Sequence, residues 1–572
     1  MATFRLWAPL ATDTVTVHLG PVTVPMERHN RGWWTAEVSD AGQGTRYAFS
    51  VDEGPARPDP RSRWQPDGVH APSAVYEHSL FAWTDDAWRG VGLAGAVAYE
   101  VHVGTFTASG TFDAAIERLD HLVSLGVTLV ELMPVAAFDG VHGWGYDGVA
   151  LFAPHEPYGG PDGLKRLVDA CHARGLGVCL DVVYNHLGPS GNYLAEFGPY
   201  FTDKHSTPWG SAVNLDDAGS DEVRRFVIDN ALGWYRDFHV DALRVDAVHA
   251  LHDERAVHIL EVLSEEIDAT AAALGRPLWL IAESDRNDPR TVTPREAGGY
   301  GVHGQWDDDV HHALHALVTG ERDGYYCDFG SLACLAKVLS SAFFHDGTWS
   351  AYRDRTHGRP VDRERTAGWR FVASVQNHDQ IGNRAAGDRL SVDELAIGAA
   401  LILTSPYTPM LFMGEEWGAA TPWQFFTDFP DPELAASVRT GRRREFEPYG
   451  WKPSEVPDPG DPATFERSKL DWSEPARAPH DALLRWYRDL IQLRRTEPDL
   501  ADPRLDRVDV SYDEAAGWLV VARGRFRVVL NVAEDAQDVP LTGSVVLAWR
   551  PDDTKAGNGV VSVPGRSVAV VR

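Results

Sequence analysis

From Ala96 onward the chain repeats one pattern: a short apolar run, a polar stop, then a longer stretch whose apolar positions fall three and four apart. The runs VAYEV, TLVEL, GVCLDVV, VDALRV, LWLIA, WRFVASV and TPMLFM show no alternation that would expose one side. They read as strands buried on both faces. Between them, DAAIERLDHLVSLG sets Ile116, Leu119, Leu122 and Val123 on one helical face before Gly126, and PDGLKRLVDACHARG sets Leu164, Leu167, Val168 and Cys171 on another before Gly175. Both read as amphipathic helices stopped by glycine. About eight such β/α units follow one another, which predicts an α/β protein built on a central parallel (β/α)8 TIM barrel rather than an open sheet.

The flanks follow a different period. Residues 1–90 carry short β-like runs (FRLWAP, TVTVHLG, WWTAEVS, TRYAFSV) broken by Gly, Pro and Asp, the pattern of a small N-terminal β-sandwich. Its last part, DEGPARPDPRSRWQPDGVHAPS, is rich in proline and reads as a linker laid over a neighbour. After the helical DALLRWYRDLIQLRR, the runs GWLVVARG, RFRVVLNV, SVVLAWR and SVAVVR return to strand grammar. The expected division is therefore 1–90, a barrel over 91–498, and a C-terminal β-sandwich over 499–572. A chain of 572 residues exceeds what one core supports, which agrees with several units.

Charge narrows the ligand. Lys and Arg number 53 against 83 Asp and Glu, and the net charge of -30 repels nucleic acid and anionic membrane surfaces while leaving neutral ligands welcome. No apolar run is long enough to span a membrane. The first residues lack a cationic segment followed by an apolar core, so no signal peptide is expected. Cys171, Cys179, Cys327 and Cys334 form neither a disulfide framework nor a zinc motif, which suits a reducing cytoplasm. No phosphate-binding glycine loop, HExxH or serine elbow is found, and neither a cofactor nor a metal is expected.

The candidate chemistry sits at strand ends. Arg244 and Asp246 stand two apart in VDALRVDAVHAL and so face one cavity, where a guanidinium favours the charged carboxylate. An ionised Asp246 is a nucleophile. Glu283 closes the apolar run LWLIA, and a carboxyl at such a place keeps its proton longer, as a general acid must. Two carboxyls pushed apart in this way are what glycosidic bond cleavage requires. One polar strand end means little, since each acid alone could be an ordinary surface carboxylate. Here Asp181, Asn185 and His186 end one strand, Arg244 and Asp246 the next, Glu283 the next, and Gln376, Asn377, His378 and Asp379 a later one. Barrel active sites form at these ends. His186 and His378 can donate to sugar hydroxyls, and Asp181 reads as a structural tie. Tyr146 in HGWGYDG and Trp209 in STPWGSAVN are candidate platforms for the apolar face of a pyranose, with Phe343 and Phe344 as further ones.

Taken together, DVVYNH, LRVDAVH, IAESD and QNHDQ resemble, in order and placement, the four sequence regions of the alpha-amylase superfamily, glycoside hydrolase family thirteen. The resemblance implies that Asp246 is the nucleophile, Glu283 the general acid/base and Asp379 the second acid holding the reacting sugar's hydroxyls, with His186, Arg244 and His378 lining the same subsite. Longer stretches, among them YEVHVGTFTASGTF, QWDDDVHHALHALVTGE and LFMGEEWGAATPWQFFTD, are similar to a branch of that family. They imply a retaining enzyme acting on maltooligosyl trehalose and related α-glucans, hydrolysing the α-1,4 bond next to the terminal trehalose unit. Two other readings stand beside it: a glycogen branching enzyme, which shares the acids but transfers chains, and a glycan-binding barrel without catalysis. The presence of all three acids weighs against the last.

Overall fold

The computed structural model describes residues 1–208, 210–447 and 451–572. Eight parallel strands close a barrel in chain order: β1 Ala98–Val101, β2 Leu129–Leu132, β3 Gly177–Val182, β4 Ala242–Val245, β5 Trp279–Ala282, β6 Gly304–Trp306, β7 Phe371–Ser374 and β8 Thr408–Phe412. β8 pairs back on β1, so the sheet has no free edge. The expected TIM barrel is what the chain builds.

Strand side chains alternate between faces, and this parity organises the barrel. One face, with Tyr99, Val130, Leu180, Leu243, Leu280, Phe371 and Leu411, joins the main core. The other supplies Ala98, Leu129, Cys179, Ala242, Ile281, Trp306, Val372 and Met410, one residue per strand, to a separate apolar cluster that plugs the interior. Cys179 is thus a small apolar filler. Two residues further along that same face stand Glu100, Glu131, Asp181, Arg244 and Glu283. The register sets Glu100 beside Glu131 and Asp181 beside Arg244. A layer of charge therefore rests directly on a layer of hydrocarbon, at the C-terminal ends of the strands.

The helix Gly160–His172 buries Leu164, Leu167, Val168 and Cys171, as their spacing predicts. Two details differ from expectation. The helix after β1 is split into Phe112–Ile116 and Leu119–Leu125, and Leu125 is buried while Val123 is exposed, because the break re-phases the stripe. Gly126 still ends it in a left-handed conformation. The connection from β5 to β6 holds only the 3-10 turns Pro289–Thr291 and Arg295–Ala297 instead of an eighth helix, since Pro289, Pro294, Gly298 and Gly299 break any helical run there.

Antiparallel sheets flank the barrel. At the N-terminal side the strands Ala2–Trp7, Trp33–Val38 and Glu27–Arg28 form one sheet, and Val22–Pro25, Val15–Leu19, Arg46–Val51 and Ser73–Ala74 another. The proline-rich segment does lie over a neighbour: Arg57 pairs with Glu196, Arg61 with Asp229, and Trp64 donates to Glu156. At the C-terminal side a five-stranded and a three-stranded sheet follow the helix His480–Thr496. No described helix is long and apolar enough to cross a membrane.

Candidate active site

Arg244 is the hub. It is fully buried on β4, with its guanidinium 4.3 Å over the Trp306 ring that tops the apolar plug. Its Nη1 donates to Asp181 Oδ2 at 2.7 Å and to Asp246 Oδ1 at 2.9 Å, and Nη2 lies 3.7 Å from Glu283 Oε2. The second oxygen of Asp246 accepts from Asn185 Nδ2 at 2.9 Å, so two donors fix that carboxylate in one orientation. Because the Asn185 amide nitrogen is spent on Asp246, its oxygen accepts from His186 Nδ1, 2.5 Å away. Burial holds His186 below its ordinary value.

Glu283 is set from behind by a strained turn. Ala247, directly after Asp246, adopts φ 41° and ψ 53°, a left-handed conformation that costs a residue with a side chain about 1–3 kcal/mol. That turn brings its N–H to within 2.6 Å of Glu283 Oε2. Burial raises Glu283 well above the ordinary carboxyl range, with Arg244 opposing and Asp246 adding to the rise. The two acids are thus held differently: Asp246 by two donors, and Glu283 by one backbone N–H in surroundings whose burial pushes it upward.

A second line of hydrogen bonds closes the ring. His378 Nδ1 lies 2.5 Å from Glu100 Oε1, its Nε2 lies 2.7 Å from Tyr146 Oη, and the Tyr146 hydroxyl donates to Asp181 Oδ2 at 2.6 Å. Burial opposes the charge on His378, but Asp379 and Glu100 outweigh it and push the ring up to about 9. Asp379 itself is 3.5 Å from His378 Nε2, accepts from Asn383, and has a side chain 44% exposed toward solvent. The Tyr146 ring stacks on His378, with centroids 5.1 Å apart. Asp181, expected as a structural tie, joins Arg244 to Tyr146, and burial lifts it to about 6.

The structure brings His186, Arg244, Asp246, Glu283, His378 and Asp379, at or just past strand ends, together with Tyr146 from the loop after β2, at one end of the barrel. Trp209 lies outside the described residues. Phe343 is core, edge-on to Phe371, and offers no free face as a platform, while Phe344 is half-buried beside Phe329 and His345. Glu100, Glu131 and Trp306 escape sequence reasoning. The signal for the first two is a lone acid inside an apolar run, VAYEV and TLVEL. Among the described residues, His205, Asp216 and Glu254 have metal-ligand spacing, and Lys204 Nζ already lies 3.0 Å from Asp216 and 2.9 Å from Glu254.

This layer carries a pH dependence. Burial and the neighbouring Glu100 lift Glu131 from 4.5 to about 8, and His378 is lifted from 6.5 to about 9. Both bind protons more tightly folded than unfolded, so unfolding releases protons, and stability falls as pH rises. The contribution of Glu131 is complete below its unfolded value and gone above about 8; that of His378 is complete below 6.5 and gone above about 9. The thermal midpoint should therefore drop between pH 6 and pH 9, and Glu131→Gln should flatten that drop. A midpoint that rises over this range in scanning calorimetry would contradict the assignment.

Comparison with known proteins agrees with this geometry. An alpha-amylase catalytic-domain model matches residues 75–209, and a model for a domain of unknown function matches residues 503–570. A malto-oligosyltrehalose trehalohydrolase of Arthrobacter ramosus is 54% identical over 100% of this chain and 99% of its own length. One from Saccharolobus solfataricus is 43% identical over 96% of this chain and 93% of its own. A Salmonella typhimurium chain provisionally named an alpha amylase superposes with a TM-score of 0.91 at 38% identity, covering 99% and 97% of the two chains. A Group B Streptococcus pullulanase, at 18% identity and a TM-score of 0.74 over 100% of this chain and 86% of its own, shares the fold. Identity of this order over the full length of both partners is more than a common fold demands, and the chain belongs to the malto-oligosyltrehalose trehalohydrolase family, a branch of the alpha-amylase superfamily.

Proposed function

We propose that the chain hydrolyses the α-1,4-glucosidic bond next to the terminal trehalose unit of maltooligosyl trehalose, releasing trehalose with retention of configuration. Asp246 attacks the anomeric carbon and forms a glycosyl-enzyme ester while Glu283 gives its proton to the departing oxygen. Glu283, now ionised, takes a proton from water, which attacks the ester and frees Asp246. Asp379, His378 and His186 bond the hydroxyls of the reacting glucose, and Tyr146 offers its ring face to that sugar. Arg244 holds Asp246 and balances the charge of the centre.

One observation carries this reading: Asp246 is fixed by Arg244 and Asn185 at 2.9 Å each, while Glu283, on the neighbouring strand end, is pushed upward by burial. The relatives named malto-oligosyltrehalose trehalohydrolase support the choice of substrate. The test is one incubation with maltotriosyl trehalose followed by proton NMR. Free trehalose and a maltooligosaccharide appearing first as the α-anomer are expected. A branched glucan would make the chain a transferase, and a first-formed β-anomer would rule out the ester.

A further inference from the structure

A cavity of about 600 Å3 lies in the seam between the N-terminal sheets and the barrel wall. The strand Ala2–Trp7, Trp33 and the proline-rich stretch around Arg61 line one side, and the helix Ser220–Asp237, which links β3 to β4, lines the other. No residue of the active site reaches it. Ion pairs hold the seam, Arg61 with Asp229 and Arg57 with Glu196, each at 2.8 Å. The cavity is thus preformed, and its size is that of a small-molecule site.

The helix wall contains a glycine that packing does not explain. Gly233 sits in the interior of an 18-residue helix, where glycine is a poor helix former. Apart from the helix's own backbone, a Cβ built there would meet only Asp237 Oδ2, at 3.9 Å. The missing side chain widens the cavity instead. Charge then selects the ligand. Four arginines on the walls are matched by four acids, and burial holds His78 down to about 3, so the imidazole adds no charge. An anion or a cation would meet as many like charges as opposite ones, whereas hydroxyls both donate and accept and suit walls of this kind. Arg63 and Glu222 make no hydrogen bond or ion pair among the described residues. Half-buried Trp33 and Phe152 add apolar ring surface, with the Arg61 guanidinium 5.7 Å from one ring centroid and 5.5 Å from the other. Ring surface beside fixed donors matches a pyranose, which is apolar on its face and polar at its edge.

We propose that this seam is a second, non-catalytic saccharide site, which takes a short maltooligosaccharide between the helix Ser220–Asp237 and the N-terminal sheets. The assignment goes beyond the hydrolysis proposed above and uses none of its catalytic groups.

Hydrogen exchange read by mass spectrometry locates the ligand. In the Asp246→Ala enzyme, which leaves the sugar intact, saturating maltotetraose should slow exchange by at least about threefold in peptides covering residues 57–63 and 220–238, in addition to those of the active site. Gly233→Leu, added to that enzyme, fills the cavity and should abolish the seam protection alone. Leucine is the better helix former, so the melting temperature should not fall. Arg63→Ala, at an exposed position without a described partner, should weaken the seam protection by about threefold or more, again with no change in melting. In otherwise wild-type enzyme, Gly233→Leu should keep kcat/KM on maltotriosyl trehalose within about threefold. No seam protection by maltotetraose, or protection that survives both substitutions, would overturn the proposal. So would protection by inorganic phosphate in place of the sugar, or a loss of kcat/KM that parallels the loss of seam protection at unchanged melting temperature. Turnover of maltotetraose by the Asp246→Ala enzyme would instead count against the catalytic reading.

Discussion

Asp246→Ala is expected to lower kcat on every α-1,4-glucan substrate by roughly four to six orders of magnitude, with the cooperative fold retained. The loss follows from chemistry: without the carboxylate no ester forms, and what remains is binding plus the charge of the surrounding groups. Retention of the fold follows from the bonds around Arg244. Removing Asp246 takes one partner from the buried guanidinium but leaves Asp181 on the same Nη1 at 2.7 Å, so no unpaired charge is stranded in the barrel. Asp181→Ala disturbs more bonds, since it takes away the acceptor that Arg244 and Tyr146 share and leaves Asp246 on Nη1. The measurement is turnover by product chromatography beside a circular-dichroism melt. An Asp246→Ala enzyme within about tenfold of wild type would place the nucleophile on another residue.

Glu283→Gln is expected to cost the natural glucan at least about a thousandfold in kcat/KM, and a glucoside with an acidic leaving group far less. The amide cannot donate a mobile proton, but it keeps an oxygen to accept the Ala247 N–H, so the 2.6 Å contact and the turn behind it survive. A leaving group that departs without protonation does not need the acid for the first step. The pH profile gives an independent readout. In the wild type burial keeps Glu283 protonated well above the ordinary carboxyl range, so the alkaline limb of kcat/KM should lie above that range and vanish in the variant. The limb belongs to the coupled centre rather than to one group. Equal losses on good and poor leaving groups would remove Glu283 from the role of acid.

Much of this is legible in the residues, and the reasons are specific. Unbroken apolar runs announce strands buried on both faces, and the polar residues closing them in order announce the site. Arg244 and Asp246 are joined by their spacing alone, because a separation of two along a strand fixes a common face. Glu100 and Glu131 are illegible for the same kind of reason in reverse. Each is one acid inside an apolar run, and only the register, which sets them side by side and above the plug, gives them meaning. The missing helix between β5 and β6 is written in Pro289, Pro294 and the Gly298–Gly299 pair, but the regular count of units speaks more loudly. The hairpin Thr348–Ser350 and Arg355–His357 between β6 and β7 has no motif at all, and its position depends on Asp285 and Asp328, contacts distant in sequence that no periodicity encodes.

The bond between Glu100 and His378 joins residues 278 apart in the chain. During synthesis β1 and β2 emerge long before β7 exists, and throughout that interval the inward faces of both strands stand in water. Their acids are then ordinary solvated carboxylates, each bearing a full negative charge in the middle of an otherwise apolar segment. Inward-pointing charges of this kind disfavour pairing of an open strand with a strand from another molecule. Glu100, which completes the proton network of the finished barrel, therefore also guards its unfinished edge beside Glu131, and that gatekeeping ends when β7 arrives and His378 draws Glu100 into the interior.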